Sequence, residues 1–309
     1  MYKILSLDGG GLRGLITARM LQRLNAEPAI AGWLDQVDLI AGTSTGGILA
    51  LGLAAGKTPQ QIADLYKIKG PDIFDDSLLD DVLDLGRTIG AEYSSKTLKK
   101  ELRSIFGNTT LAQLGKKVVI PTFDLDNEAT GRNERTWKPK IFHNFSGADT
   151  DGEFLAADIA LYTSSAPTYF PSADGYIDGG VFANNPSVVA LVQAISRRNK
   201  PAERARIDDV VLLSVGTGKT LNYIKGKSLD WGYAQWVKPL MNILMDGVAG
   251  IADYQSSQLL GDSYKRLQII FDETESIPLD AVDKLDRMDQ IGSSVVLTDT
   301  IEWIQTQWV

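Results

Sequence analysis

Apolar residues come in short continuous runs that alternate with longer stretches of helical spacing. Lys3–Leu7 has the run of a buried strand, and Leu12–Asn25 carries Leu15, Ile16, Met20, Leu21 and Leu24 at helical intervals. Val37–Ala41 predicts a second short strand, followed by a helix over Thr45–Ala55. That helix is hydrophobic all round, which places it in the middle of a domain. Ser94–Phe106 predicts an amphipathic helix, with Ser94 or Ser95 as N-cap and Gly107 as its stop. Lys117–Phe123 reads as a strand, and Asn185-Pro186 opens a helix, with Pro at its first position, that runs to about Arg198. Val210–Val215 is a near-continuous run of the kind found in strands covered on both faces. Strands separated by helices imply a mostly parallel sheet with helices on both sides, an α/β fold three layers deep. No repeat and no linker-like tract divides the chain, so one domain over residues 1–309 is the simpler reading.

Composition narrows the function classes. Net charge is -8, which argues against nucleic acid as a partner, since a phosphate-backbone binder shows a basic face. Arg197, Arg198, Lys200, Arg204 and Arg206 form a local basic cluster, read as the solvated end of a helix and its loop. With no Cys, disulfides and thiolate metal sites are excluded, and a single His leaves only carboxylates as metal ligands. Asp75-Asp76 and Asp80-Asp81 read as solvated loop charges rather than ligands. The chain opens directly on a strand-like run without a signal-peptide pattern, and no apolar stretch reaches the roughly 18 residues of a spanning helix. A cytoplasmic protein is the expectation.

Three glycine-containing segments carry the candidate chemistry. Gly42-Thr43-Ser44-Thr45-Gly46 is a G-x-S-x-G pentapeptide between a short strand and a buried helix. A serine nucleophile stands on such a sharp turn, and the small residues two before and two after permit it. Asp8-Gly9-Gly10-Gly11-Leu12-Arg13-Gly14 lies at another strand end and opens a helix. Its successive glycines leave backbone N–H groups uncovered, a nest for an anion. Two anions fit. One is the oxyanion of an acyl transfer, where fixed donors are worth about 3–4 kcal/mol each. The other is a pyrophosphate, because Gly9-x-Gly11-x-x-Gly14 matches the dinucleotide fingerprint and Asp35 or Asp38 lies near the ribose-binding distance. Gly216-Thr217-Gly218-Lys219-Thr220 and Gly56-Lys57-Thr58 resemble the end of a phosphate loop. Both lack its first glycine, with Leu213 and Leu51 in that place, and read as plain turns.

A Ser-His-Asp triad has only His143 as a base, in the short strand-like run Lys140–Phe145 away from the motifs. Asp178, in Tyr176-Ile177-Asp178-Gly179-Gly180, is the other candidate. The glycines beside it allow close approach to another backbone, and partial burial raises a carboxylate pKa toward the working range. On its own, Asp-Gly-Gly is equally an ordinary turn.

Taken together these residues resemble the patatin-like phospholipase family. Its three signatures stand in family order: Asp8–Gly14, Gly42–Gly46 and Asp178-Gly179-Gly180. Two further stretches are similar, Ser165-Ala166-Pro167-Thr168-Tyr169-Phe170-Pro171 and Gly180-Val181-Phe182-Ala183-Asn184-Asn185-Pro186. The resemblance covers about residues 3–218, with 219–309 completing helices and a strand, and implies a three-layer α/β/α patatin-like fold. It implies a Ser–Asp dyad in which Ser44 attacks an ester carbonyl and Asp178 accepts its proton. The amides around Gly9, Gly10 and Gly11 would hold the oxyanion, with Arg13 positioning that loop. Asp8, Gly14, Gly42, Gly46, Gly179 and Gly180 would support the motifs. No metal, calcium or other cofactor is implied. The implied substrates are phospholipids or other acyl-ester lipids, met through transient contact with a membrane surface. Rival readings are a lipase switched on by an activator, a nucleotide-binding dehydrogenase and a non-catalytic storage protein of the same fold. No sequence feature assigns an oligomeric state.

Residues 231–260 remain open between two readings. The segment carries Trp231, Tyr233, Trp236, Val237, Leu240, Met241, Ile243, Leu244, Met245 and Val248. It is either an ordinary core helix or an acyl-pocket wall or interfacial lid.

Overall fold

The computed structural model describes residues 1–74, 91–131, 133–272, 275 and 277–308. The acidic pairs Asp75-Asp76 and Asp80-Asp81 lie outside the described residues.

One seven-stranded sheet organises the chain. Its strands are β1 (Tyr2–Leu7), β2 (Leu39–Gly42), β3 (Lys117–Asp124), β4 (Lys138–His143), β5 (Tyr176–Asp178), β6 (Val210–Val215) and β7 (Tyr264–Leu267). The order is β4-β3-β2-β1-β6-β7, with β5 paired to β3. The four pairings among β3, β2, β1, β6 and β7 are parallel. Only β4 and β5 run antiparallel, both against β3.

Alternation along the strands explains why they read as continuous apolar runs. Leu5 and Leu7 of β1, Ile40 of β2, and Val211, Leu213 and Val215 of β6 face one core. Ile4, Leu39, Ala41, Val210 and Leu212 face the other. Each strand is therefore buried on both sides, the condition of a sheet between two helical layers. The first layer holds α1 (Gly14–Ala26), α2 (Thr45–Ala54), α3 (Pro59–Ile73), α4 (Ser95–Phe106) and α5 (Ala156–Thr163), with α9 (Leu285–Ser294) and α10 (Thr298–Gln307). The second holds α7 (Ser187–Ile195), against which α8 (Tyr233–Leu260) packs; the four-residue α6 (Gly180–Ala183) lies between β5 and α7.

Most element boundaries agree with the sequence pattern. Ser94 caps α4 by accepting from the Lys96 amide at 3.3 Å, and Gly107 stops it at φ +54°. β2 starts at Leu39 rather than Val37, and two helices differ at their ends. Residues 11–13 form a tight 3₁₀ turn, so the regular helix starts at Gly14. The helix after Asn185-Pro186 starts at Ser187, with Pro186 as its cap, and ends at Ile195 rather than near Arg198. Asn199 terminates it by donating its side-chain amide to the Gln193 carbonyl at 2.6 Å. Arg197 and Arg198 thus lie beyond the helix, exposed. Gly56 is a helix-end turn at φ +83°, and Thr58 caps α3.

The 28-residue α8 is not a core helix, because Leu240, Ile243 and Leu244 are exposed. Among the described residues no helix is long and apolar enough to cross a membrane.

Candidate active site

The register of the sheet brings three loops together. Leu7 pairs with Gly42 on one side and with Val215 on the other, so β1, β2 and β6 end level. The loops that leave them, at Asp8–Arg13, Thr43-Ser44 and Gly216–Gly218, emerge side by side at the carboxyl edge. Crevices at that edge are where open α/β sheets bind ligands.

Ser44 sits on the second of these loops at φ 56° and ψ -126°. A non-glycine residue at such angles carries about 1–3 kcal/mol of strain, which the surroundings must hold in place. The Ser44 amide donates to Thr163 Oγ1 at 2.9 Å, and Thr163 in turn donates to the Pro121 carbonyl at 2.7 Å. Thr43 donates through its hydroxyl to the Ala183 carbonyl at 2.6 Å. The flanking glycines are required by contact. A Cβ at Gly42 would lie 2.0 Å from the Gly46 carbonyl oxygen, and one at Gly46 would lie 2.2 Å from that of Leu7.

Asp178 arrives from the opposite direction, and β3 is the ruler that sets the distance. Ala41 of β2 pairs with Val119, while Asp178 of β5 pairs with Thr122, three positions further on. At about 3.3 Å per residue this leaves a gap of roughly 10 Å, which the turn at Thr43-Ser44 fills. Gly179 then passes so close to β3 that a Cβ there would stand 2.3 Å from the Pro121 carbonyl oxygen. Asp178 is 5% exposed. Its carboxylate accepts from the Gly180 amide at 2.7 Å, and the Ser44 side chain is the side-chain neighbour that acts on its pKa. Burial pushes its pKa up to about 7, and the Ser44 side chain and the Gly180 amide hold it from rising further.

The glycine loop meets both groups. A Cβ at Gly9 would lie 2.3 Å from Asn184 Oδ1 and 3.2 Å from Ser44 Cβ. Its amide, however, is committed to the Asn184 carbonyl at 3.0 Å, so Gly9 shapes the loop instead of donating to an oxyanion as expected. The amides of Gly10 and Gly11 have no acceptor among the described residues, and both residues line the cavity above Ser44. Thr217 braces the loop by donating to the Gly9 carbonyl at 3.0 Å, and Gly14 lies against Thr45 and Tyr66. Arg13 donates its amide to the Gly10 carbonyl at 3.2 Å, closing the turn it was expected to position. Burial lowers its guanidinium pKa to about 10, opposed by Asp246, Tyr169 and Asp8.

Asp8 lies beneath this loop, 2% exposed. Burial raises its pKa, and Arg266 of β7 counters that by bonding both carboxylate oxygens, one at 2.9 Å. The same guanidinium donates to Ser214 Oγ at 2.7 Å.

A patatin-like phospholipase family model matches residues 5–191. Sequence relatives agree. One named a cGAMP-activated phospholipase, from Pseudomonas aeruginosa, is 31% identical over 303 residues, covering 96% of this chain and 86% of the relative. Another of that name, from Vibrio cholerae, is 36% identical over 235 residues, covering 70% and 64%. Patatin-like protein 1 of Oryza sativa subsp. indica is 31% identical over 313 residues, covering 86% and 73%. The chain belongs to the patatin-like phospholipase family.

Two of these relatives are named phospholipases, and a patatin-like enzyme of that kind needs room for an acyl chain. The cavity holding Ser44 and Asp178 has a volume of about 400 Å³. Its walls are largely Ile48 of α2, Ile62 and Ile73 of α3, and Leu98, Leu102 and Ile105 of α4. Among the described residues, the segment expected to form an acyl-pocket wall, residues 231–260, contributes Asn242 and Met245. The apolar face of α4 was visible in the sequence, but a face that packs a core and a face that lines a cavity have the same spacing.

Thr163 and Arg266 carry no local motif, Thr217 lies in a segment read as a plain turn, and Asn184, in the family-like stretch Gly180–Pro186, has a buried Oδ1 with no hydrogen-bond partner among the described residues. His143 lies apart from this patatin-like site, on β4, paired with Val119 and buried. Burial lowers its pKa.

Proposed function

We propose that Ser44 and Asp178 hydrolyse carboxylic esters of acyl lipids through an acyl-enzyme. The observation that carries this reading is the buried Asp178 carboxylate, its pKa near 7, with the Ser44 side chain as its neighbour. At neutral pH about half of such a carboxylate is ionised, and its basicity is far above that of an exposed Asp.

In the first step Ser44 Oγ bonds to the ester carbon and its proton passes to Asp178. The oxyanion that forms lies against the amides of Gly10 and Gly11, each worth about 3–4 kcal/mol. The carbonyl re-forms as the lysolipid or other alcohol leaves, taking the proton from Asp178. In the second step a water oxygen bonds to the acyl carbon while Asp178 takes the water proton. The bond to Ser44 Oγ breaks, Oγ recovers that proton, and the fatty acid departs. Burial of the acyl chain in the cavity contributes roughly 0.8 kcal/mol per CH₂. The protein works from the cytoplasm, with transient contact at a membrane surface.

Incubation with a fluorophosphonate probe, followed by mass mapping, tests the assignment. Labelling is expected on Ser44 and lost in Ser44→Ala; an adduct elsewhere, or full turnover in Ser44→Ala, overturns it.

A second reading draws on the two relatives named cGAMP-activated phospholipases: turnover stays low until cGAMP binds. An ester assay with and without cGAMP decides it, and equal rates dispose of it.

A further inference from the structure

We propose that the outward face of α8, with the segment leading into it, is a docking surface for an anionic lipid bilayer. This rests on the reading of the site as a lipid hydrolase and names where that enzyme meets its substrate aggregate.

Leu240, Ile243, Leu244, Ile251 and Tyr254 are between 43% and 61% exposed. At 3.6 residues per turn they fall within about 100° of arc, one stripe along the helix. The body of the protein lies on the other side. Ala252 and Ser256 are buried there, and Asn242 and Met245 reach the cavity that holds Ser44. The helix thus packs a mixed face of Asn242, Met245, Ala252 and Ser256 against the body and leaves its most apolar stripe outward. Contiguous exposed apolar residues along one helix face mark an interaction site rather than scattered surface residues.

Charge selects the occupant. The two acids of the helix turn away from the stripe. Asp253 accepts from the Tyr264 hydroxyl at 2.7 Å, and Asp246 faces the Arg13 guanidinium. The segment before the helix exposes Leu221, Tyr223 and Ile224, followed by exposed Lys225 and Lys227. Aliphatic and aromatic groups beside lysines suit the boundary between headgroups and acyl chains of an anionic leaflet. A seam for a second copy of the helix would carry paired charges beside its apolar positions. Here the neighbours of Leu244 and Ile251 in those places are Ile243, Val248, Gly250 and Gln255. Continuity points the same way, since the helix that bears the stripe also walls the substrate cavity.

Co-flotation with phosphatidylethanolamine–phosphatidylglycerol vesicles tests the proposal, with hydrolysis of soluble p-nitrophenyl butyrate measured in parallel. The wild-type protein is expected to float, and Leu244→Glu with Ile251→Glu to lower vesicle binding at least tenfold with soluble-ester turnover within twofold. Lys225→Glu with Lys227→Glu is expected to weaken binding to these vesicles and leave binding to phosphatidylcholine vesicles unchanged. If the first pair folds poorly, Ile251→Ser with Tyr254→Ser replaces it. Wild-type protein that stays at the bottom of the gradient overturns the proposal. So does flotation that none of the stripe variants reduces, or a dimer that the stripe variants convert to monomer with flotation intact, which assigns the stripe to a second copy. Failure of the active-site reading would show separately, as soluble-ester turnover unaffected by Ser44→Ala.

Discussion

Asp178 sits directly across from Thr122 in the antiparallel β5–β3 pair, on the strand that three positions earlier pairs with the end of β2. A single strand thus sets where both members of the pair stand. Removing either side chain leaves that backbone relationship in place. Ser44→Ala and Asp178→Asn are expected to lower kcat by about 10⁴–10⁶-fold while circular dichroism stays native, since members of such a unit fail individually as severely as together. His143→Ala, distant from the site, is expected to keep kcat within a few-fold; an inactive but folded His143→Ala would remove Asp178 from the role of base.

The pH dependence follows from the same carboxylate. Asp178 must be ionised to accept a proton, and its pKa is pushed up to about 7. The value of kcat/KM is therefore expected to fall about tenfold per pH unit below that point and to level off above it. A profile of soluble-ester hydrolysis between pH 5 and 9 shows this as one acid limb. A midpoint near 4 would mean that the carboxylate is not desolvated.

Stability responds in the opposite sense. A folded-state pKa raised above the unfolded value means that the native protein binds the proton more tightly. The stabilising contribution is complete below about pH 4 and is lost as pH rises through about 7. Three pKa units correspond to about 4 kcal/mol. Asp178→Asn, which keeps the shape and removes the charge, is expected to raise the Tm relative to wild type at pH 8 by several degrees more than at pH 5. Scanning calorimetry at the two pH values makes the comparison.

Asp8 and Arg266 provide a test on the structural side. Arg266→Met leaves a buried carboxylate without its partner and is expected to cost about 3–5 kcal/mol in urea denaturation. In Asp8→Asn with Arg266→Met the loss should be smaller than the sum of the two single losses, because no uncompensated charge remains.

The cavity walls are expected to set acyl-chain length. Leu102→Trp fills space among Leu98, Ile105 and Ile48. It is expected to lower turnover of long-chain p-nitrophenyl esters at least tenfold and to change that of the butyrate ester little. Equal losses on both would place the acyl chain elsewhere.

Local patterns made much of this legible. The strand runs, the elbow at Ser44, the glycine loop and Asp-Gly-Gly each have a signature within a few residues, because a sharp turn or close backbone approach restricts the residues that can build it. Other features depend on partners far along the chain. The Gly9 amide was expected to be a free donor, and only the position of the Asn184 carbonyl shows that it is committed. The antiparallel direction of β4 and β5 is set by where their connections return, not by their composition. The acyl cavity is lined by helices whose apolar faces look like any core face, and Arg266 is an unremarked residue of β7 until it is found on Asp8.

That last tie has a bearing on synthesis. Leu12 donates its amide to the Leu279 carbonyl at 2.7 Å, and Arg266 secures Asp8 from 258 positions further on, so the glycine loop is braced by residues translated long after it. A nascent polypeptide that has left the ribosome as far as Asp178 holds both reacting groups without the support for its oxyanion donors. Ester turnover is therefore expected to wait until the segment carrying Arg266 and Leu279 has been made.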